Sequence, residues 1–255
     1  MSADPPRLTS HGNTHAGKVR VRNEDALIIN PAAGLYAVAD GMGGEAAGDY
    51  ASQTVVEALG DVEHPASADD LVNQTKARLR DAHKHLVAYA KRSSARVVGA
   101  TVVVLLAHGA GVACLWSGDA RCYRIRHGGI EQLSEDHNEL GELVSRGILS
   151  KEEAKTWRGR NAVTRAVGVY DELETDMVVG DLWPGDAFVL CSDGLPLHVE
   201  DHEIAQIAHD FGPEEACERL IALALKRGGA DNVSVIVVAA EAANEMVTRI
   251  NPRRA

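Results

Sequence analysis

Apolar positions recur along this 255-residue chain with two periods, near two residues and near three to four, and the switches between them outline the elements. The two-residue period predicts strands near 19 to 30 and 35 to 40. A helix follows from about 45 to 59, with Ala47, Ala51, Val55 and Ala58 on one face and Gly60 as its stop. Ser67 and Asp70 have the spacing of a capping box, and Leu71, Thr75, Leu79, Ala82, Leu86 and Ala90 carry a second helix to Arg92. Strands are predicted at Ala100 to His108, Val112 to Trp116, Cys122 to Arg126 and Gly129 to Leu133. Their glycine turns suit an antiparallel meander.

Residues 136 to 168 break this rhythm. Leu140, Leu143 and Val144 make a short helix ending at Gly147, and Ser150 with Glu153 opens another through a capping box, so a small helical insert is expected. Strands return at Glu174 to Val179 and Ala187 to Cys191. Helices near 200 to 209 and from Pro213 to Lys226 precede a last strand running to Ala240. Residues 1 to 18 and 242 to 255 are polar and turn-rich, so both ends are expected to be weakly ordered. Helices fall in pairs between groups of strands, which favours an α+β protein with a two-layer antiparallel β core and helices packed outside.

Composition narrows the functional classes. A hydrophobic content of 45% supports a substantial core, and a formal net charge of -11 disfavours a general nucleic-acid or anionic-membrane surface. Cys114, Cys122, Cys191 and Cys217 show no metal-ligand spacing and read as reduced and structural. No leader pattern and no run of about 18 apolar residues is present, so a cytoplasmic location is expected.

The candidate chemistry lies where apolar runs end. Leu35 to Asp40-Gly41, Cys114 to Gly118-Asp119 and Phe188 to Asp193-Gly194 each close on a carboxylate beside a glycine, and Asp231 precedes the strand-like run Val233 to Val238. Strands feeding one sheet edge can gather such side chains, and gathered carboxylates repel one another unless a cation neutralises them. All-oxygen ligation selects magnesium, manganese or calcium over zinc.

The motifs Arg20-Val-Arg-Asn-Glu-Asp25, Val38-Ala-Asp-Gly-Met-Gly-Gly44, Gly99-Ala-Thr101, Gly118-Asp-Ala-Arg121, Glu135-Asp-His-Asn138, Thr164-Arg-Ala-Val-Gly168, Cys191-Ser-Asp-Gly194 and Asp231-Asn-Val-Ser234 occur in order over about residues 10 to 240. In these the chain resembles the metal-dependent protein phosphatases, the type 2C serine/threonine class, and particularly their compact bacterial members. The resemblance implies one catalytic domain over 1 to 255, a four-layer α-β-β-α sandwich, and a mobile flap formed by the insert near 136 to 168.

It also implies a site. Asp40 would bridge two divalent cations, manganese or magnesium, with the Gly41 carbonyl, Asp193 and Asp231 as further ligands and Asp25 acting mainly through water. Asp119, with Asp193, matches a third and weaker metal position. Two such ions lower the pKa of a water and stabilise in-line displacement at phosphorus. Arg20 would clamp the phosphate, with Arg22 as its nearby competitor. Where many eukaryotic relatives carry a histidine after the Asp-Gly pair, this chain has Met42, which leaves the general acid open; neither His15 nor His137 is assigned that role. Phosphoproteins as substrates and a serine/threonine kinase as counterpart follow from the same resemblance.

Three other readings compete. Gly41 to Ala46 fits a dinucleotide-binding glycine pattern, although no acid ends a second strand at the required distance. Ser192 could serve a serine hydrolase, although it lacks the Gly-x-Ser-x-Gly elbow. A non-catalytic phosphoprotein-binding module would not require Asp25, Asp40, Asp193 and Asp231 together.

Overall fold

The computed structural model describes residues 5–43, 47–93, 97–155, 157 and 162–242. Among the described residues, ten strands form two antiparallel five-stranded sheets. The first sheet orders β1 (Arg7–His15), β10 (Val233–Glu241), β9 (Ala187–Cys191), β6 (Arg121–Arg126) and β7 (Gly129–Gln132). The second orders β2 (Asp25–Asn30), β3 (Leu35–Gly43), β4 (Val98–His108), β5 (Gly111–Ser117) and β8 (Asp176–Asp181).

Helices α1 (Ala47–Gly60) and α2 (Ala68–Ser93) pack on the second sheet through Leu59, Leu79 and Leu86. Helices α5 (Asp201–Asp210) and α6 (Pro213–Lys226) cover the first through Ile204, Leu220 and Ala224. Between the sheets, Tyr36, Val38, Val103, Leu105, Phe188, Leu190 and Ile236 are buried, each large side chain stabilising the fold by about 1.5–3 kcal/mol. The four layers are α-β-β-α, as the sequence predicts. The four cysteines are free and buried.

Each helix pair leads out and back, so the chain re-enters its sheet at the end it left. That is why β3 and β4, joined by α1 and α2, are antiparallel neighbours, as are β9 and β10, joined by α5 and α6. A dinucleotide fold needs a single helix between parallel strands, and the antiparallel β3–β4 pair removes that reading.

Four expectations are corrected. Residues 1 to 18 are not a weakly ordered end throughout: Arg7–His15 is a strand paired residue for residue with β10. It reads as polar because it lies at a sheet edge and only Leu8 need enter the inter-sheet core. No strand runs from 19, since residues 16–24 are a loop and β2 begins at Asp25. The strand expected from Glu174 begins two residues later, at Asp176.

The strands from 98 to 132 are not one meander either. β4 and β5 form a hairpin in the second sheet, β6 and β7 a hairpin in the first, and the chain changes sheet at Gly118. There φ is +115°, and a Cβ would sit 2.3 Å from Cβ of Thr101, so only glycine makes the crossing. The insert carries α3 (Glu139–Ser145) and α4 (Lys151–Lys155), with the Ser150–Glu153 capping box present. Residues 45 and 46 of the expected first helix, and 243 to 255, lie outside the described residues.

Candidate metal centre

Inner-face side chains of β2, β3, β4, β9 and β10 stay apolar until the last row at one end of the sandwich, where they turn polar. In the second sheet this row is Asp25, Asp40 and Thr101, direct partners across three strands. In the first sheet it is Thr14, Ser234 and Ser192.

Asp25 is buried, and its Oδ2 accepts hydrogen bonds from the hydroxyls of Ser192 and Ser234, each at 2.7 Å. Asn23 donates to Thr14 at 2.7 Å, and Thr14 to Ser234 at 2.7 Å, extending the network to the surface. Oδ1 of Asp25 is buried without a partner among the described residues. Burial pushes this carboxyl up to about 6, helped by Asp231 and Glu24 and opposed by the two serine hydroxyls.

Asp40 is raised well above the ordinary carboxylate range, first by burial and then by the charges of Asp25, Asp193, Asp119 and Asp231. Asp193 is pushed up to about 7 by desolvation and by Asp119, Asp231 and Asp25. Because the Asp193 residue is exposed, hydration offsets much of the desolvation, and like-charge repulsion is the firmer cause. Asp119, buried at the sheet change, is raised by burial and held by an amide hydrogen bond from Asn138 at 3.2 Å.

Five acids from five segments therefore share one electrostatic neighbourhood. Among the described residues no three of them already stand as a closed chelating group. The residues nonetheless fit hard divalent cations: the donors are all oxygens, they repel one another, and Asp25 Oδ1 is orphaned in the interior. Backbone is also brought close. A Cβ on Gly41 would lie 2.0 Å from the Gly48 carbonyl oxygen and 2.6 Å from that of Glu24, so only glycine lets this end of β3 pack there.

Sequence reasoning missed Glu24. Its Oε1 and the Gly41 carbonyl oxygen lie 2.4 Å and 3.0 Å from the point a Cβ on Gly48 would occupy, placing this sixth acid beside the Gly41 oxygen. The signal was available in its position directly before Asp25. Arg20 Nη2 meets Asp231 Oδ2 at 2.7 Å, whereas Arg22 turns to Asp49 on α1 at 3.8 Å, so Arg20 is the arginine at this cup.

Ser192 donates to Asp25 and accepts from the Ser234 N–H, a structural use of its hydroxyl that leaves the serine-hydrolase reading without a free nucleophile. His15 accepts from the Gly17 N–H at 2.9 Å. His137 is buried; its Nδ1 accepts from the Gly118 N–H, which fixes the proton on Nε2 facing Asp176 at 3.1 Å. It holds the loop that carries Asp119.

A helix-flanked antiparallel sandwich with an acidic cup at one end defines the class as a metal-dependent phosphatase fold. The chain belongs to the Protein phosphatase 2C family, whose sequence pattern matches residues 12–234. It is 35% identical over 222 residues to the serine/threonine protein phosphatase PstP of Mycobacterium tuberculosis, covering 87% of this chain and 43% of that one. The chain thus spans less than half the length of that relative. Among solved structures it is similar to PppA, a key regulatory component of T6SS in Pseudomonas aeruginosa, at TM-score 0.85 and 37% identity, covering 93% of this chain and 99% of that one. It is also similar to the catalytic domain of PstP in complex with 2 manganese ions, at TM-score 0.83 and 33% identity, covering 92% and 98%.

Proposed function

We propose that this protein is a protein phosphatase that hydrolyses phosphoserine and phosphothreonine in proteins, as one catalytic domain opposing a serine/threonine kinase. The observation that carries the reading is the shared neighbourhood of Asp25, Asp40, Asp119, Asp193 and Asp231 around an orphaned interior carboxylate oxygen. The residues that would hold two divalent cations, manganese or magnesium, are Asp40 as the bridge, the Gly41 carbonyl, Asp193, Asp231 and, through water, Asp25; Asp119 with Asp193 would serve a weaker third. Glu24 joins this set through its place beside the Gly41 oxygen. When bound, such ions supply charge neutralisation and an activated water for attack at phosphorus.

The chain's own groups do the rest. Ser192 and Ser234 hold the Asp25 carboxylate in one orientation, leaving Oδ1 turned away from their hydroxyls. Arg20, half exposed at the rim and bonded to one cup carboxylate, would meet phosphate oxygens with a planar fork. No helix among the described residues is long and apolar enough to cross a membrane, and the strongly acidic net charge disfavours a general nucleic-acid surface. We place the protein in the cytoplasm.

The test is hydrolysis of p-nitrophenyl phosphate and of a phosphothreonine peptide with manganese or magnesium. Activity that needs the metal and vanishes in Asp40→Ala supports the assignment; no turnover with any divalent cation refutes it and leaves a phosphoprotein-binding module.

A further inference from the structure

The loop of residues 16–24, which carries Arg20, has no apolar anchor. Residues 18 to 22 are all exposed, Val19 at 68% and Val21 at 97%. Its own side chains make polar ties, Asn23 to Thr14 and Arg20 to Asp231. Its backbone is held at both ends by one side chain on another element: Asn232, 5% exposed, immediately before β10.

Its amide is fully used. Oδ1 accepts from the Glu24 N–H at 2.8 Å, and Nδ2 donates to the carbonyls of Ala16 at 3.0 Å and Arg22 at 2.8 Å. One acceptor facing an N–H and two donors facing carbonyls fix the amide orientation, since the flipped form would lose all three bonds. Ala16 is the first residue after β1, and Arg22 and Glu24 precede β2, so one amide closes both ends of the loop. The Asn232 backbone N–H also donates to Asp231 Oδ1 at 2.8 Å, while Asp231 Oδ2 accepts from Arg20 at 2.7 Å. The mid-loop is tied once more, by the Lys18 N–H to the Gly229 carbonyl at 2.7 Å.

We propose that Asn232 is the positioning residue of the phosphate-binding arginine, closing the Ala16–Glu24 loop at both ends so that Arg20 is held over the carboxylate cup. The inference rests on the reading of Arg20 as the phosphate clamp. Aspartate could keep the bond from the Glu24 N–H but cannot donate to either carbonyl, and alanine keeps none. A held guanidinium meets phosphate without first being ordered, so its release appears in KM for substrate.

The 255-residue chain, wild type and with Asn232→Ala, Asn232→Asp, Arg20→Ala and the Asn232→Ala/Arg20→Ala pair, is assayed with p-nitrophenyl phosphate in manganese and, separately, by limited trypsinolysis, which cleaves after Lys18, Arg20 and Arg22. Both Asn232 variants are expected to raise KM about ten- to a hundredfold with a smaller change in kcat and an unchanged half-saturating manganese concentration. Asn232→Ala added to Arg20→Ala is expected to raise KM no further. Trypsin cleavage within 18–22 is expected to accelerate at least about tenfold at a temperature where each variant remains folded.

Unaltered cleavage in folded Asn232→Ala, a KM effect that adds fully to that of Arg20→Ala, or a shift confined to the manganese requirement would each overturn the proposal. A wild-type protein inactive with every metal would refute the phosphatase reading instead, and the trypsin comparison would still decide whether Asn232 holds the loop.

Discussion

Asp25 and Asp40 stand directly opposite each other across the β2–β3 ladder, so a buried carboxyl and a half-buried one share one face of one strand pair. Like charges in that relation are destabilising. The sheet tolerates them at its end row, where charge on a ligand or a proton can offset the repulsion.

The first prediction is a pH dependence in chelator. A carboxyl raised in the folded protein, as Asp25 is from an ordinary 3.8 to about 6, binds its proton more tightly than the unfolded chain does. Its stabilising contribution is therefore full below about 4 and lost as pH rises through about 6. His137, whose buried ring is pulled below its ordinary value, works the other way over part of this range. The comparison is thus with Asp25→Asn: the melting temperature of the wild type should fall relative to the variant between pH 4 and pH 8, and manganese should raise the wild type more at pH 8 than at pH 5. A constant difference across that range would count against the Asp25–Asp40 pairing.

The second concerns Asp40 itself, which feels four other acids. Asp40→Asn should lower metal-dependent turnover by at least about a thousandfold, the scale of losing a central electrostatic group. The same change should stabilise the metal-free protein by about 0.5–2 kcal/mol, measured by urea denaturation in chelator. Loss of both activity and stability would mean that Asp40 is a structural acid.

The third uses Gly41. A methyl group there meets the Gly48 carbonyl oxygen at 2.0 Å, which backbone movement alone can relieve. Gly41→Ala should cost roughly 1–3 kcal/mol and displace the cup's backbone, weakening manganese binding by calorimetry. Wild-type affinity in a stable Gly41→Ala protein would remove the Gly41 carbonyl from the site.

The fourth separates stability from chemistry. At the opposite end of the sandwich the Asp186 side chain is 1% exposed and accepts from Arg126 Nε at 2.6 Å, Arg126 Nη2 at 2.7 Å and the Trp183 N–H at 2.8 Å. Arg126→Ala leaves a buried carboxylate uncompensated and should cost about 3–5 kcal/mol. KM and kcat of the folded fraction should stay at wild-type values; a change in KM would reveal coupling along the sandwich.

Much of this was legible in the chain because local signals and tertiary packing agreed. The helix over Pro213–Lys226 and the strand over Ala187–Cys191 have the predicted bounds, since proline at a helix start and an unbroken apolar run leave little choice. The two-layer β core with helices outside followed from helices coming in pairs, and the four-layer order from the family resemblance. β1 was missed because an edge strand with small inward residues such as Ser10, Gly12 and Thr14 carries almost no apolar alternation. The change of sheet at Gly118 was hidden because a glycine that ends a hairpin and one that crosses between sheets look alike in sequence. Asp40, Asp119 and Asp193 could be picked out as carboxylates ending apolar runs and Asp231 as one preceding a strand, while Asp25 came from the family resemblance; the roles of Ser192, Ser234 and Asn232 could not be read, since their value lies in partners more than 160 residues away, Asp25 for the serines and the β1–β2 loop for the asparagine.

Because each helix pair departs from and returns to the acidic end, Asp40 and Thr101 bracket one excursion and Asp193 and Asp231 bracket the other. The far turn of the first excursion, between Gly60 and Ala68, lies about 20 Å from the cup along a 14-residue helix. Nature or an engineer can therefore lengthen, graft or tag that distal hairpin bend while the reacting centre keeps its alignment, which makes it the natural splice point for a reporter or an added regulatory module.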